Sequence, residues 1–131
     1  MATRVTIVKV RKQGAGNVNE ELQWLGTSLG LFNLRDRDSS CFRIFITLVK
    51  TARRNKPLSS DEIAEKLGLS RGTVVHHLIR LSDSGIVVKD QKGYLLREGS
   101  LHDLMKDLHR DLESMFSELE EVAKEIDERL G

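Results

Sequence analysis

The stretch Leu58–Val87 constrains the fold of this 131-residue chain more than any other. It reads as two short helices joined by a tight turn, with an extended segment entering directly after them. Ser59 and Glu62 stand at the spacing in which a serine and a glutamate cap each other's backbone N–H groups at a helix start. Ile63, Ala64 and Leu67 give that helix its apolar side. Gly68 suits the left-handed conformation that closes a helix. Leu69 is placed to plug the core, and Ser70 caps the next helix, over about Arg71–Ser84. Val74, Leu78 and Leu81 fall at spacings of four and three and share one face. Gly72, Thr73, His76, Ile79 and Arg80 therefore point the other way.

Gly85 ends the second helix, and Ile86, Val87 and Val88 start a strand. Asp90-Gln91-Lys92-Gly93 turns the chain, and Tyr94-Leu95-Leu96 returns, which predicts a hairpin with Lys89 and Lys92 near its tip. Two capped helices followed by a basic hairpin are the order of a winged helix-turn-helix, mainly α with a small β-wing. Such a module lays its second helix in the major groove of DNA. Arg71 sits in the first turn of that helix, where backbone N–H groups and the macrodipole favour phosphate. Thr, His and Arg on the exposed face supply donors for phosphates and base edges. The candidate DNA-contacting set is Ser70, Arg71, Gly72, Thr73, Val75, His76 and Arg80, joined by Lys89 and Lys92 of the wing. The same fold also serves as a protein–protein scaffold. The combination of caps, turn, apolar spacing and basic wing favours DNA.

The run Leu69-Ser70-Arg71-Gly72-Thr73-Val74-Val75-His76-His77-Leu78-Ile79-Arg80-Leu81, followed by Gly85-Ile86-Val87, resembles the prokaryotic winged-helix regulators of the ArsR, MarR and TrmB kinds. The likeness covers about thirty residues well and about seventy loosely, and Leu29-Gly30-Leu31 adds a faint likeness to the TrmB kind. The resemblance implies that Arg71, Thr73, Val75, His76 and Arg80 occupy DNA-facing positions. Val75 departs from the small polar residue often found at its place.

Charge divides the chain. Residues 1–99 hold 17 Lys+Arg against 10 Asp+Glu, a net +7, whereas residues 100–131 hold 4 against 10, a net −6. A basic body suits DNA, and an acidic tail should point away from it. Only six aromatic residues stand in an apolar share of 39%, so the expected core is aliphatic. The single cysteine, Cys41, excludes an intramolecular disulfide, fits a reducing cytoplasm and reads as a small buried hydrophobe. No apolar run approaches the ~20 residues that span a bilayer. The start, MATRVTIVKVRK, is too short and too charged for a signal peptide. A cytoplasmic protein with no membrane partner is expected.

Three segments follow from this pattern: an N-terminal extension over 1–33, the winged domain over 34–98 and a C-terminal dimerisation helix over 99–131. Thr3–Arg11 is rich in β-branched residues and reads as a strand, added to a wing sheet, or as a frayed basic arm. Gln13-Gly14-Ala15-Gly16-Asn17 is a turn or link, and Asn19–Phe32 is expected to be helical. Asp38–Arg54 should form the first core helix, with Cys41, Phe42, Phe45, Leu48, Val49 and Ala52 on its apolar face. Arg53, Arg54 and Lys56 cluster at its end, as flanking phosphate contacts or as a solvated terminus. Ser100 and Asp103 have the spacing of a helix cap.

From Met105 the apolar residues alternate three and four apart: Met105, Leu108, Leu112, Met115, Leu119, Val122 and Ile126. That is a heptad a/d seam, widened by Leu101, Leu104, Phe116 and Leu130. Its expected cover is a second copy in a coiled coil, or else the chain's own N-terminal segment.

No phosphate-binding glycine loop, paired-cysteine zinc spacing or nucleophile motif is present, so neither an enzyme nor a cofactor is expected. His102 and His109 lie seven apart with Glu113 a turn further, but no metal site is expected there. The pattern thus predicts a homodimeric, sequence-specific DNA-binding transcription regulator with an unidentified effector. Its alternatives are an architectural DNA-binding protein of low specificity and a winged-helix assembly factor that contacts protein.

Overall fold

A computed structural model describes residues 3–12, 14, 16–32 and 39–131 of the chain. The element order is α1 (Val18–Ser28), α2 (Ser40–Ala52), α3 (Ser60–Leu67), α4 (Arg71–Asp83), β1 (Val87–Asp90), β2 (Gly93–Leu96) and α5 (Leu101–Leu130). The central order therefore follows the sequence pattern, with α4 ending one residue before the expected Ser84.

Local chemistry sets most of these boundaries. Ser59 caps α3: its hydroxyl accepts from the Glu62 N–H at 3.0 Å, and the Glu62 carboxylate accepts from the Ser59 N–H at 3.1 Å. The backbone N–H bond from Ser59, then that residue's hydroxyl, holds the Glu62 carboxyl below its usual range. Gly68 closes α3 at φ 66°, ψ 34°, where a β-carbon would cost the turn its geometry. Leu69 follows it, and its N–H reaches back to the Ala64 carbonyl. Ser70 then opens α4 by accepting from the Thr73 N–H. Ser100 opens α5 by accepting from the Asp103 N–H.

The wing is a two-stranded antiparallel hairpin in which Asp90 pairs with Gly93 and Val87 with Leu96. Leu58 extends it by one bridge, exchanging two backbone hydrogen bonds with Tyr94 at 2.9 and 2.7 Å. Gly93 makes that approach possible, because a β-carbon there would lie 2.4 Å from the Leu58 carbonyl oxygen. The bridge ties the α2–α3 connection to the returning strand of the wing, next to its turn.

One core joins all of these elements. Phe45, Ile44 and Leu48 of α2 pack with Ile63 of α3, Val74, Leu78 and Leu81 of α4, and Leu96 of β2. Cys41 is buried among them, as its composition-based reading expected. The core also takes Leu29 and Leu31 from beyond α1 and Leu104 and Leu108 from α5. The N-terminal third and the start of α5 thus share the core of the winged region.

Several expectations are corrected. Thr3–Arg11 forms no strand. It runs across helix ends, with the Arg4 N–H donating to the Asp83 carbonyl and the Val8 N–H to the Ser28 carbonyl. The Trp24 Nε1–H bonds the Val10 carbonyl. β-Branched residues there meet unpaired helix C-terminal carbonyls rather than a sheet edge, and those carbonyls decide the outcome. The helix expected over Asn19–Phe32 is Val18–Ser28, capped by the Asn17 side chain. It stops early because Gly30 and Leu31 turn their N–H groups back onto Thr27 and Gly26. The helix expected over Asp38–Arg54 is Ser40–Ala52. Asp38 lies outside the described residues, as do Gln13 and Ala15 of the expected link and residues 33–38 around the expected domain boundary. Among the described residues, no helix is long and apolar enough to cross a membrane.

Candidate nucleic-acid interface

The outer face of α4 is built by the burial of its inner face. Val74 and Leu78 are fully buried and Leu81 nearly so, which fixes the helix rotation. His77 also turns inward and is buried, so only His76 of the pair faces solvent. Arg71, Gly72 and His76 are exposed, and Thr73, Val75 and Arg80 are half-buried. Ile79, outside the set drawn from sequence, is exposed in the middle of this face. Its spacing from Gly72 and His76 gave that position away, but its apolar character set it apart from the polar donors. An exposed isoleucine there has the chemistry to contact a thymine methyl.

The first turn of α4 has the features of an anion site. The Ser70 hydroxyl accepts from the Thr73 N–H at 3.2 Å and donates to the Thr73 hydroxyl at 2.8 Å. The amide groups of Arg71 and Gly72 have no acceptor among the described residues. The Arg71 guanidinium pairs with Asp61 of α3 at 3.3 Å, with both side chains about three-quarters exposed. An exposed pair of this kind is worth about 0–1 kcal/mol, so a phosphate can displace the carboxylate cheaply.

The wing follows α4 in the chain and contacts it through β1. Lys92 stands in the exposed turn, where the Asp90 carboxylate accepts from the Lys92 and Gly93 N–H groups at 2.7 and 3.1 Å. Lys89 folds back, its Nζ 5.4 Å from the centre of the Tyr94 ring. Asn55 and Pro57 share a cleft with Asp90, Gln91 and Lys92. The basic cluster Arg53, Arg54 and Lys56 is exposed on that same connection, so it neighbours the wing.

The seam of α5 divides in two. Leu104 (0% exposed) and Leu108 (3%) sit in the chain's own core, with Leu101 and Met105 packed against it. Leu112 and Met115 are half-buried. Phe116, Leu119, Val122, Ile126 and Leu130 are exposed. The outer part of α5 extends past the core for about 28 Å at 1.5 Å per residue.

An ion cluster holds the inner part of α5 against the wing. Arg97, just after β2, donates to Asp111 at 2.7 and 3.4 Å, approaches Asp107 at 3.4 Å and reaches the Gly85 carbonyl at 3.4 Å. Its bond to Asp111 raises the Arg97 pKa further. Arg110 pairs with the same Asp107. Glu98 and Asp107 share a hydrogen bond that pushes the Glu98 carboxyl up and the Asp107 carboxyl down. No sequence signal pointed to this cluster. It joins the end of α4, the wing and α5 at one arginine.

His102 is exposed, and His109 pairs with Glu113 at 3.2 Å. Among the described residues, no group of three or more His, Cys, Asp or Glu side chains is placed to hold a metal ion.

A family model described as an HTH domain matches residues 46–95, which run from inside α2 to the returning strand of the wing. The chain carries a winged helix-turn-helix domain. Domains of this kind commonly bind DNA through their second helix. No curated protein and no solved structure matches the chain.

Proposed function

We propose that the chain is a sequence-specific transcription regulator of the ArsR, MarR or TrmB kind that binds duplex DNA as a homodimer in the cytoplasm. The observation that carries this reading is the outer face of α4, which leaves Arg71, Gly72, His76 and Ile79 exposed with Thr73 half-buried among them, joined by the exposed Lys92 in the turn of the wing. Ser70 and the amides of the first turn receive a phosphate. Thr73, Val75, His76, Ile79 and Arg80 lie toward base edges. Lys89, Lys92 and the Arg53–Lys56 connection contact flanking backbone.

Dimerisation is assigned to the outer α5, through Leu112, Met115, Leu119, Val122 and Ile126, with Phe116 beside them. Leu101, Leu104, Met105 and Leu108 act instead as the root that anchors each α5 to its own domain. The exposed apolar stripe and its heptad spacing support a second copy as its cover. The Arg97 cluster gives that coiled coil a fixed angle to each α4, which a regulator reading two half-sites requires. Selection of bound duplexes from a random pool tests the proposal. Recovery of an inverted repeat with half-site centres about 10–10.5 base pairs apart supports it. Recovery of unenriched sequence at equal affinity supports an architectural protein instead.

A further inference from the structure

The outer half of α5 has a directional seam. Heptad positions a are Leu112, Leu119 and Ile126, and positions d are Met115, Val122 and Arg129. Leu112 and Met115 are half-buried, and the other four are exposed. Arg129 has no ion-pair partner among the described residues. A cation therefore ends a stripe that is otherwise apolar.

We infer that a second copy of this chain covers the stripe running antiparallel, so that the two winged domains stand at opposite ends of the paired helices. The inference rests on the assignment of α5 to a second copy made above and gives that partner its orientation. Antiparallel pairing sets each a position against a d position. With Leu119 opposite the partner's Val122, Met115 meets the partner's Ile126 and Leu112 meets the partner's Arg129. The central layers are then apolar on both sides. Arg129 comes level with the partner's Asp111, an acid at the root of the other helix, so the one charge in the seam is complemented.

Parallel pairing sets each position against its own copy. Arg129 then faces the partner's Arg129, a like-charge pair. Two-stranded parallel coils favour β-branched residues at a and leucine at d, whereas here two leucines stand at a and none at d. Phe116, at position e and 59% exposed, points the same way. Parallel pairing puts its ring beside the partner's Asp111, and antiparallel pairing puts it beside the partner's Ala123. Antiparallel pairing has one cost, the approach of Glu118 to the partner's Glu125 along the solvated rim, where salt screens the repulsion.

Direction also sets distance. Gly85, just past the end of α4, lies against Asp111, whose carboxylate would stand 3.4 Å from a β-carbon built there. In the antiparallel pair Asp111 is level with the partner's Leu130, which separates the two α4 ends by about 28 Å along the paired helices at 1.5 Å per residue. That approaches the separation of about 34–36 Å between half-sites one turn apart. Parallel pairing would bring both α4 ends to the same level.

Disulfide trapping between full-length Met115→Cys and Ile126→Cys chains tests the direction without DNA. Neither position belongs to the core, and Cys41 is buried, so the parent serves as the control. The two variants are kept separate or mixed in equal amounts in a buffer of reduced and oxidised glutathione. Antiparallel pairing puts the two different positions in one layer and holds identical positions roughly 16 Å apart, beyond the ~7 Å limit between the α-carbons of a disulfide. The mixture should therefore give a mixed disulfide in about tenfold or greater excess over either variant's disulfide with itself. Self-disulfides in each variant alone, with no mixed product, would overturn the direction and leave pairing through α5 standing. A parent that sediments as a dimer while neither the variants nor their mixture form a disulfide would overturn the seam. A parent that is monomeric at micromolar concentration would refute the assignment of α5 to a second copy, and this inference with it.

Discussion

Replacing Gly72 by alanine separates the demands of folding from those of DNA. Gly72 is the second residue of α4 and does not have the positive φ that favours glycine. A β-carbon built there meets nothing within 4 Å. The fold therefore gives no reason for a glycine. Alanine should stabilise the chain by about 0.5–1 kcal/mol, through lower unfolded-state entropy and better helix propensity. In a chain of this size that corresponds to a rise in Tm of about 1–4 °C. Bound DNA reverses the sign. On the proposed function the amides of Arg71 and Gly72 donate to a phosphate, and a methyl group between them and the DNA backbone should break at least one charge-assisted bond. Such a bond is worth about 1.5–3 kcal/mol, or roughly a tenfold to hundredfold loss of affinity. Circular dichroism melting and fluorescence anisotropy on a labelled duplex measure the two effects separately. A variant that melts higher yet binds DNA like the parent refutes close backbone approach at Gly72. A variant that melts lower refutes the reading of its local geometry.

Four further outcomes follow from the same structure. Leu104→Ala, at a fully buried position, should cost about 2–5 kcal/mol of stability in chemical denaturation. Leu119→Asp with Ile126→Asp, at positions 63% and 50% exposed, should leave the domain folded but give monomers in sedimentation; a dimeric double variant refutes the α5 interface. Glu98→Gln should stabilise the chain at neutral pH, because Glu98 has a raised pKa and is ionised there against the Asp107 carboxylate. That advantage should vanish as pH falls through the Glu98 value and the parent gains its own proton, whereas Asp107, with a lowered pKa, loses its contribution only at still lower pH. A pH-independent difference between Glu98→Gln and the parent removes this explanation. Lys92→Ala should weaken binding alike on all duplexes and reduce the salt slope by about one, as loss of one phosphate contact requires.

What sequence made legible here was local. The Ser59–Glu62 box, the Gly68 closure, the Ser70 cap and the Asp90–Gly93 turn each depend on residues within a few positions of one another. Each therefore announced itself in the chain. The same locality explains the outer face of α4, since three buried residues at helical spacing fix which side is left. The failures involve partners distant in sequence. Valines in Thr3–Arg11 announce strand propensity, but helix ends from Ser28 and Asp83 meet the arm instead. Apolar spacing along α5 is the same for a helix entering its own core as for one entering a coiled coil. Leu104 and Leu108 could not be told from Leu119 and Ile126 on pattern alone. Arg97 was invisible as a hub because its partners Gly85, Asp107 and Asp111 lie many residues away in the chain.

The most direct test of DNA recognition by this face is equilibrium binding of the parent and of the Arg71→Ala, Lys92→Ala double variant to one selected duplex across a salt series. Both side chains are exposed and outside the core, so the double variant should keep its fold. We expect tight binding by the parent, a log–log salt slope that falls by about two phosphate contacts in the variant, and a matching loss of affinity. A folded double variant with the parent's affinity and the parent's slope would contradict the assignment of DNA to α4 and the wing.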